Sequence, residues 1–258
     1  MTRACVALVA LVSLAGGGWA EPPAEREIVY QVSTIGALLK GLFDGTTTVR
    51  QLRAHGDFGL GTFDALDGEM LADGGIFYQI GADGACQVMP RTARSPFAAV
   101  TFFEADSTLP LRDLVVPAGL DAALQPTLSG VNLPQAIRIE GEFAYVRARS
   151  VPRQTRPYPP LTDVVKTQPV FEYRDVRGTL VGFRLPPFVE GLNVPGYHFH
   201  FVDAAHRVGG HLLECQLRTG TAEIDVTPSI QVALPTSPEF CSLDLAIHSE
   251  ADVQRVEK

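Results

Sequence analysis

His198 and His200 lie in Gly196-Tyr197-His198-Phe199-His200-Phe201, and His211 follows eleven residues after His200 in Gly209-Gly210-His211-Leu212-Leu213. Aromatic and β-branched residues alternating at period two mark Tyr197 to Val202 as a strand. Side chains at i and i+2 of a strand share a face, so the two imidazoles point the same way. Asp203 to Arg207 are small or polar and read as a turn, with Val208 to Leu217 as the returning strand. A hairpin centred near Ala205 puts His211 opposite His198, where facing residues sit about 5 Å apart. Three neutral imidazoles with an open fourth position make a catalytic zinc shell, which polarises a substrate oxygen or activates a bound water. Gly209 and Gly210 bring no side chains that would crowd such a site. A His-x-His pair alone is more simply a pair of packed or solvated strand residues. The third histidine on the partner strand is what points to a metal. His206 falls at the expected turn tip and should be solvated.

The first twenty residues read as an export leader rather than as part of the fold. Arg3 is the positive start, Ala4 to Leu14 the apolar run, and Ala15 to Ala20 the small-residue end, with Gly18 and Ala20 where a signal peptidase reads. The apolar run falls short of the ~20 residues a membrane span needs. The mature chain is expected to begin at Glu21 and to be periplasmic or secreted. Without the leader it carries 20 basic and 29 acidic residues, a net charge of −9. An acidic chain with no basic cluster argues against nucleic acid as a partner. Cys86, Cys215 and Cys241 remain, an odd number for an oxidising compartment, and a Cys215–Cys241 bridge is open. Cys215 shares a strand face with His211, but four strand residues span about 13 Å, too far for one metal.

Ile28 to Val32 read as a strand, and Ser33 or Thr34 as the cap of a short helix through Phe43. Thr48-x-x-Gln51 fits a capping box for a second helix over Val49 to His55, stopped by Gly56. Three Asp-Gly pairs, ending in Gly68, Gly74 and Gly84, punctuate a meander of strands from Phe58 to Val88. Ser95 to Glu104 gives another strand. Leu111 to Leu124 reads as a mixed, helical connector broken at Pro117, and Gln135 to Ser150 as a long strand. The prolines between Val151 and Pro160 exclude a central strand there. Val170 to Leu185 reads as a hairpin around Arg177-Gly178. Glu223 to Val232 and Leu243 to His248 read as further strands.

Several separate motifs in order resemble the acetolactate decarboxylase family. They are Gly56-Asp57-Phe58-Gly59-Leu60-Gly61-Thr62-Phe63 with Leu66-Asp67-Gly68-Glu69, Arg149-Ser150-Val151-Pro152-Arg153-Gln154 with Pro157-Tyr158, Lys166-Thr167-Gln168-Pro169, Val176-Arg177-Gly178-Thr179-Leu180-Val181-Gly182-Phe183, and the histidine motif itself. The resemblance runs through nearly the whole chain after the leader. It implies an α+β, β-rich fold with few short helices, a mixed sheet lobe (residues 21–135) packed on a small β-barrel-like, metal-binding lobe (136–258), often as a homodimer. It implies one Zn2+ on His198, His200 and His211, with Glu69, Arg149 and a C-terminal glutamate in the active site. Glu257 fits the spacing best, and Glu250 is its rival. It also implies that Thr62 lines the substrate pocket. Without the family, Glu69 is a solvated residue after a tight turn, Arg149 a salt-bridge partner and Thr62 an ordinary strand residue.

The chemistry of such an enzyme suits these parts. Acetolactate carries a carboxylate, a neighbouring hydroxyl and a ketone one carbon on, and loss of CO2 leaves an electron pair that needs a sink. Zinc on the two oxygens can supply one without thiamine or pyridoxal. Arg149 offers a planar fork for the carboxylate, and Glu69, assisted by the C-terminal glutamate, is the first choice to protonate the enediolate. The rival readings are an exported carbonic anhydrase-like zinc lyase and a periplasmic metal- or ligand-binding β-protein. The first lacks the Arg149 and Thr62 motifs, and the second would hold metal yet leave acetolactate untouched.

Overall fold

Short apolar stretches between turn residues set the pattern seen in a computed structural model, which describes residues 26–127, 130–245, 252, 253 and 256. The strands are β1 (Ile28–Val32), β2 (Thr47–Thr48), β3 (Phe58–Thr62), β4 (Glu69–Asp73), β5 (Ile76–Ile80), β6 (Cys86–Val88), β7 (Arg94–Ser95), β8 (Ala98–Thr101), β9 (Ser107–Val116), β10 (Gln135–Arg149), β11 (Val170–Leu185), β12 (Gly196–Asp203), β13 (Gly209–Val226) and β14 (Ser229–Ala233). The helices are short: α1 (Ile35–Leu39), α2 (Val49–Leu52), α3 (Leu120–Leu124), α4 (Leu161–Val164) and α5 (Pro238–Ser242). None is long and apolar enough to cross a membrane. Thr34 caps α1 by accepting from the Ala37 amide, and the Thr48–Gln51 capping box opens α2.

Two sheets carry the fold. The first has seven strands in the order β14-β1-β8-β3-β4-β5-β6, and it is mixed because β1 and β14 run parallel. The second runs β10-β11-β12-β13-β9, and β10 pairs with β13 as well, which rolls β10 to β13 into a small barrel. The sheets exchange material: β14 follows the barrel in sequence yet pairs with β1. The fold is therefore β-rich with few short helices. Inside the barrel Ile137, Phe143, Phe199, Phe201 and Ile224 pack together, while Phe58, Leu60, Ile80, Phe183 and Val202 fill the layer between the sheets. Each such side chain removed from water contributes about 1.5–3 kcal/mol. Period two therefore divides β12: Phe199 and Phe201 turn into the barrel core, and His198 and His200 take the opposite face.

Two sequence expectations are corrected. The stretch from Leu111 is not a helical connector. Its first part belongs to β9, which lies along the outer edge of β13 from Ser107↔Ile224 to Val116↔Cys215, and only Leu120–Leu124 is helical. Pro110 is tolerated because β9 is an edge strand, and the open edge of β13 outweighs local propensity. Nor is Val170–Leu185 a hairpin. It is one continuous strand paired with β10 and β12. Gly178 marks a close approach instead of a turn, since a Cβ there would lie 2.4 Å from the Val202 carbonyl oxygen and 2.5 Å from the Phe201 ring.

Candidate metal centre

The β12–β13 hairpin sets the histidines. His200 faces His211 directly, followed by Phe201↔Gly210 and Val202↔Gly209. His198 is thus the diagonal neighbour, which corrects the expected register by moving the turn centre one residue along the chain. The cause is local. The Asp203 carboxylate accepts from the amides of Arg207 at 2.6 Å and Val208 at 2.9 Å, and His206 takes a left-handed φ of 51°. His206 is exposed, as expected, and stacks on Tyr78 with ring centroids 4.9 Å apart. The two glycines permit close approach: a Cβ on Gly210 (φ +152°) would sit 2.6 Å from the Arg149 carbonyl oxygen, and one on Gly209 2.2 Å from that of Phe201.

All three rings are buried, with centroids 5.3 Å (His198–His200), 4.9 Å (His198–His211) and 5.3 Å (His200–His211) apart. One nitrogen from each lies within 4.8 Å of the others, and no other group of three potential ligands occurs among the described residues. His198 Nε2 and His211 Nδ1 are 3.2 Å apart. His200 Nδ1 is 2.7 Å from the Met70 carbonyl oxygen, which can only accept, so Nδ1 carries the proton and Nε2 bears a lone pair. That Nε2 is buried and without a hydrogen bond. Burial, then the charge of Arg149, pulls the His198 pKa down to about 3, and burial, then His198, holds His200 well below the ordinary value. Buried imidazoles with one nitrogen from each gathered within 4.8 Å are the donor set of a metal ion.

The other expected residues stand around this cluster. Arg149 ends β10 directly across from His211. Its guanidinium is buried and donates to Glu69 Oε1 at 3.0 Å and to the Val256 carbonyl at 2.6 Å, while its Nε has no acceptor. Glu69 opens β4 opposite Thr62, the end of β3. It is 6% exposed, not solvated, and its Oε2 lies 3.5 Å from His200 Nε2. The Thr62 hydroxyl donates to the Gly68 carbonyl at 2.7 Å and so ties down the turn that delivers Glu69. Glu257 and Glu250 lie outside the described residues. Val256 does not: it packs with Leu38 and Leu161, and these side chains with Leu66 and Phe97 line a cavity of about 30 Å³ beside the histidines. Cys86, Cys215 and Cys241 are unpaired, and Cys215 turns into the barrel core away from the cluster.

The Met70 carbonyl and this apolar wall were not foreseen. A backbone contact across 130 positions leaves no mark in local sequence. What results is a site where three imidazole nitrogens, one carboxylate and one guanidinium meet beside apolar side chains, suited to a Lewis acid that stabilises negative charge growing on a substrate oxygen.

The profile of the family described as alpha-acetolactate decarboxylase matches residues 29–247. Alpha-acetolactate decarboxylase of Methanosarcina mazei is 47% identical over 90% of this chain and 81% of its own length. That of Methylococcus capsulatus is 45% identical over 90% of each. A crystal structure of alpha-acetolactate decarboxylase from Bacillus subtilis strain 168 superimposes with a TM-score of 0.86 at 37% identity, covering 89% of this chain and 99% of that one.

Proposed function

The chain belongs to the alpha-acetolactate decarboxylase family, and from that premise we propose that it converts 2-acetolactate to acetoin and CO2 using one zinc ion held by His198, His200 and His211. The observation that carries the zinc assignment is the set of three buried imidazoles with one nitrogen from each within 4.8 Å of the others, His198 and His200 being held neutral by burial. Zinc in that position would draw negative charge onto the substrate's ketone and hydroxyl oxygens. The remaining steps belong to the chain's own groups. Arg149 keeps one buried donor, Nε, for a substrate oxygen. Thr62 has its hydrogen committed to Gly68, so its oxygen can only accept, which suits the substrate hydroxyl. Glu69 delivers a proton to the carbon that has lost CO2 and returns to the carboxylate paired with Arg149. Glu257 assists from the C-terminus, and solvent replaces the proton. Leu38, Leu66, Phe97 and Leu161 exclude bulk water, which strengthens each of these interactions.

Racemic acetolactate given to purified protein tests this directly. Acetoin should form, stop on addition of a strong chelator, and resume with zinc. A metal-replete protein that leaves acetolactate untouched would instead be a binding protein. The leader pattern of residues 1–20, which lie outside the described residues, supports a further proposal of export. Intact mass of the periplasmic or secreted protein should then correspond to a chain starting at Glu21, and a cytoplasmic pool retaining residues 1–20 would contradict it.

A further inference from the structure

Glu69 and Arg149 reach the histidines from segments at the ends of regular strands. Glu69 follows the turn between β3 and β4, and Arg149 is the last residue of β10. The turn does not hold its shape alone. Ala65 and Leu66 take left-handed φ values of 61° and 55°, which side chains seldom adopt and which persist only where surrounding contacts fix them. The turn also supplies part of the pocket wall, because Leu66 lines the cavity that Glu69 and Arg149 share.

The contacts that fix this turn converge on the end of β5. Gln79 and Ile80 close that strand and pair with Met70 and Glu69 of β4. The Gln79 side chain is buried and donates from Nε2 to the Asp67 carbonyl at 2.6 Å. Its Oε1 accepts from Gln87 Nε2 at 2.6 Å, so both halves of the amide are committed. One residue on, the Ile80 carbonyl accepts from the hydroxyl of the fully buried Ser150 at 2.8 Å. A Cβ on Gly68 would collide with that same carbonyl oxygen, and the Gly68 amide donates to the Val151 carbonyl at 3.1 Å. Two side chains therefore join the surroundings of Glu69 to those of Arg149. Gln79 grips Asp67, two residues before Glu69, and Ser150, next to Arg149, grips Ile80, the cross-strand partner of Glu69. Arg153 also reaches Asp64 and Asp67, but its side chain is 57% exposed, and ion pairs screened by solvent hold a position weakly. The buried bonds have no such competition from water.

We propose that Gln79 and Ser150 are positioning residues for the reaction, setting the Glu69 carboxylate between Arg149 and His200. Neither lines the cavity, so both act through Glu69. The proposal rests on Glu69 as the proton donor of the decarboxylase reading. Misplacing a reacting group by about 1 Å can cost about a hundredfold in rate, so a lost hold shows in turnover. Gln79→Met keeps the length of the side chain without its donor, and Ser150→Ala removes only the hydroxyl. Zinc-loaded variants are assayed with acetolactate well below their Tm, where lower stability alone leaves the rate per folded chain unchanged. Expected in each is a fall in kcat of about tenfold or more, with KM within about twofold and zinc content unchanged. In a Glu69→Gln background the same substitutions should cost about twofold or less, since the group they place is gone.

A kcat within about twofold of wild type in a folded variant overturns the assignment for that residue, as does a raised KM at unchanged kcat. A tenfold loss that persists beside Glu69→Gln shows action elsewhere and overturns it as well. Crystal structures of the two variants decide the placement without turnover. The Arg149 Nη1 to Glu69 Oε1 distance should open from 3.0 Å to beyond hydrogen-bonding range, and an unchanged pair contradicts the proposal. If Glu69→Gln itself keeps near-normal turnover, the proton-donor reading fails on its own, and these structures still decide whether Gln79 and Ser150 place the carboxylate.

Discussion

Arg149 and Glu69 stand 80 positions apart in the chain and form a buried ion pair, Nη1 of the one 3.0 Å from Oε1 of the other, with side chains 4% and 7% exposed. One comes from the barrel and the other from the seven-stranded sheet, so the pair joins the two sheets beside the histidines. Removing one partner of a buried pair leaves a charge without compensation and costs about 3–5 kcal/mol. Glu69→Ala should therefore lower Tm markedly. Glu69→Gln keeps shape and an acceptor, so it should fold and hold zinc while turnover falls by about 10²–10⁴, as for a lost general acid. Near-normal turnover in Glu69→Gln would remove Glu69 as the proton donor.

Arg149→Lys keeps the charge but cannot reach Glu69 and the Val256 carbonyl with a planar fork. Catalysis should weaken with zinc still bound, and equal loss of zinc and activity would show that Arg149 acts on the histidines instead.

The pH response of the metal-free chain follows from the histidines. His198 and His200 are held neutral in the fold, with pKa values below the ordinary one. Between pH ~6.5 and ~3 the unfolded chain binds protons there that the folded chain refuses, so stability is full above ~6.5 and falls with pH. The slope should approach about 1.4 kcal/mol per pH unit for each histidine. Asp225, raised to about 6 by burial, works in the opposite sense, contributing at low pH and losing its contribution as pH rises through 6. Urea melts of metal-free protein at a series of pH values measure the net effect, and a flat profile from pH 7 to 4 would contradict a buried, neutral His198 and His200.

Gly210→Ala forces a Cβ to 2.6 Å from the Arg149 carbonyl oxygen in a backbone region that side chains avoid. Strain of this kind costs on the order of 1–3 kcal/mol. Because Gly210 precedes His211, zinc affinity should drop together with Tm. A variant with unchanged zinc affinity would mean that the β10–β13 approach does not position His211.

The cluster was legible in the sequence because strand parity is rigid: His198 and His200 share a face whatever the register. The register itself was not legible, since nothing in the local pattern counts the residues of the turn, and Asp203 with the left-handed His206 decides it. Capping at Thr34 and at Thr48–Gln51 was legible because its partners lie within three residues. β9 was missed because its strand character comes from the edge of β13, about a hundred residues later. Gly178 misled because glycine marks turns and close approaches alike. The burial of Glu69 was visible only through the family motif, because the groups that bury it come from distant segments.

The chain's end offers a graded test. Deleting Val256 to Lys258 removes the carbonyl held by Arg149 and a buried valine, so it should cost about 1.5–3 kcal/mol as well as turnover. Glu257→Gln spares both features and should lower turnover, or the enantiomeric purity of the acetoin, at unchanged Tm. Full activity and equal stereoselectivity in Glu257→Gln would move the assignment to Glu250.

Zinc content and acetoin formation measured on the same samples of wild type, His200→Ala and His206→Ala test the zinc-dependent assignment most directly. The expected result is about one zinc per chain in wild type and His206→Ala, both active, and loss of metal and activity together in His200→Ala. Zinc retained with full activity in His200→Ala, or lost only in His206→Ala, would contradict a metal centre built on His198, His200 and His211.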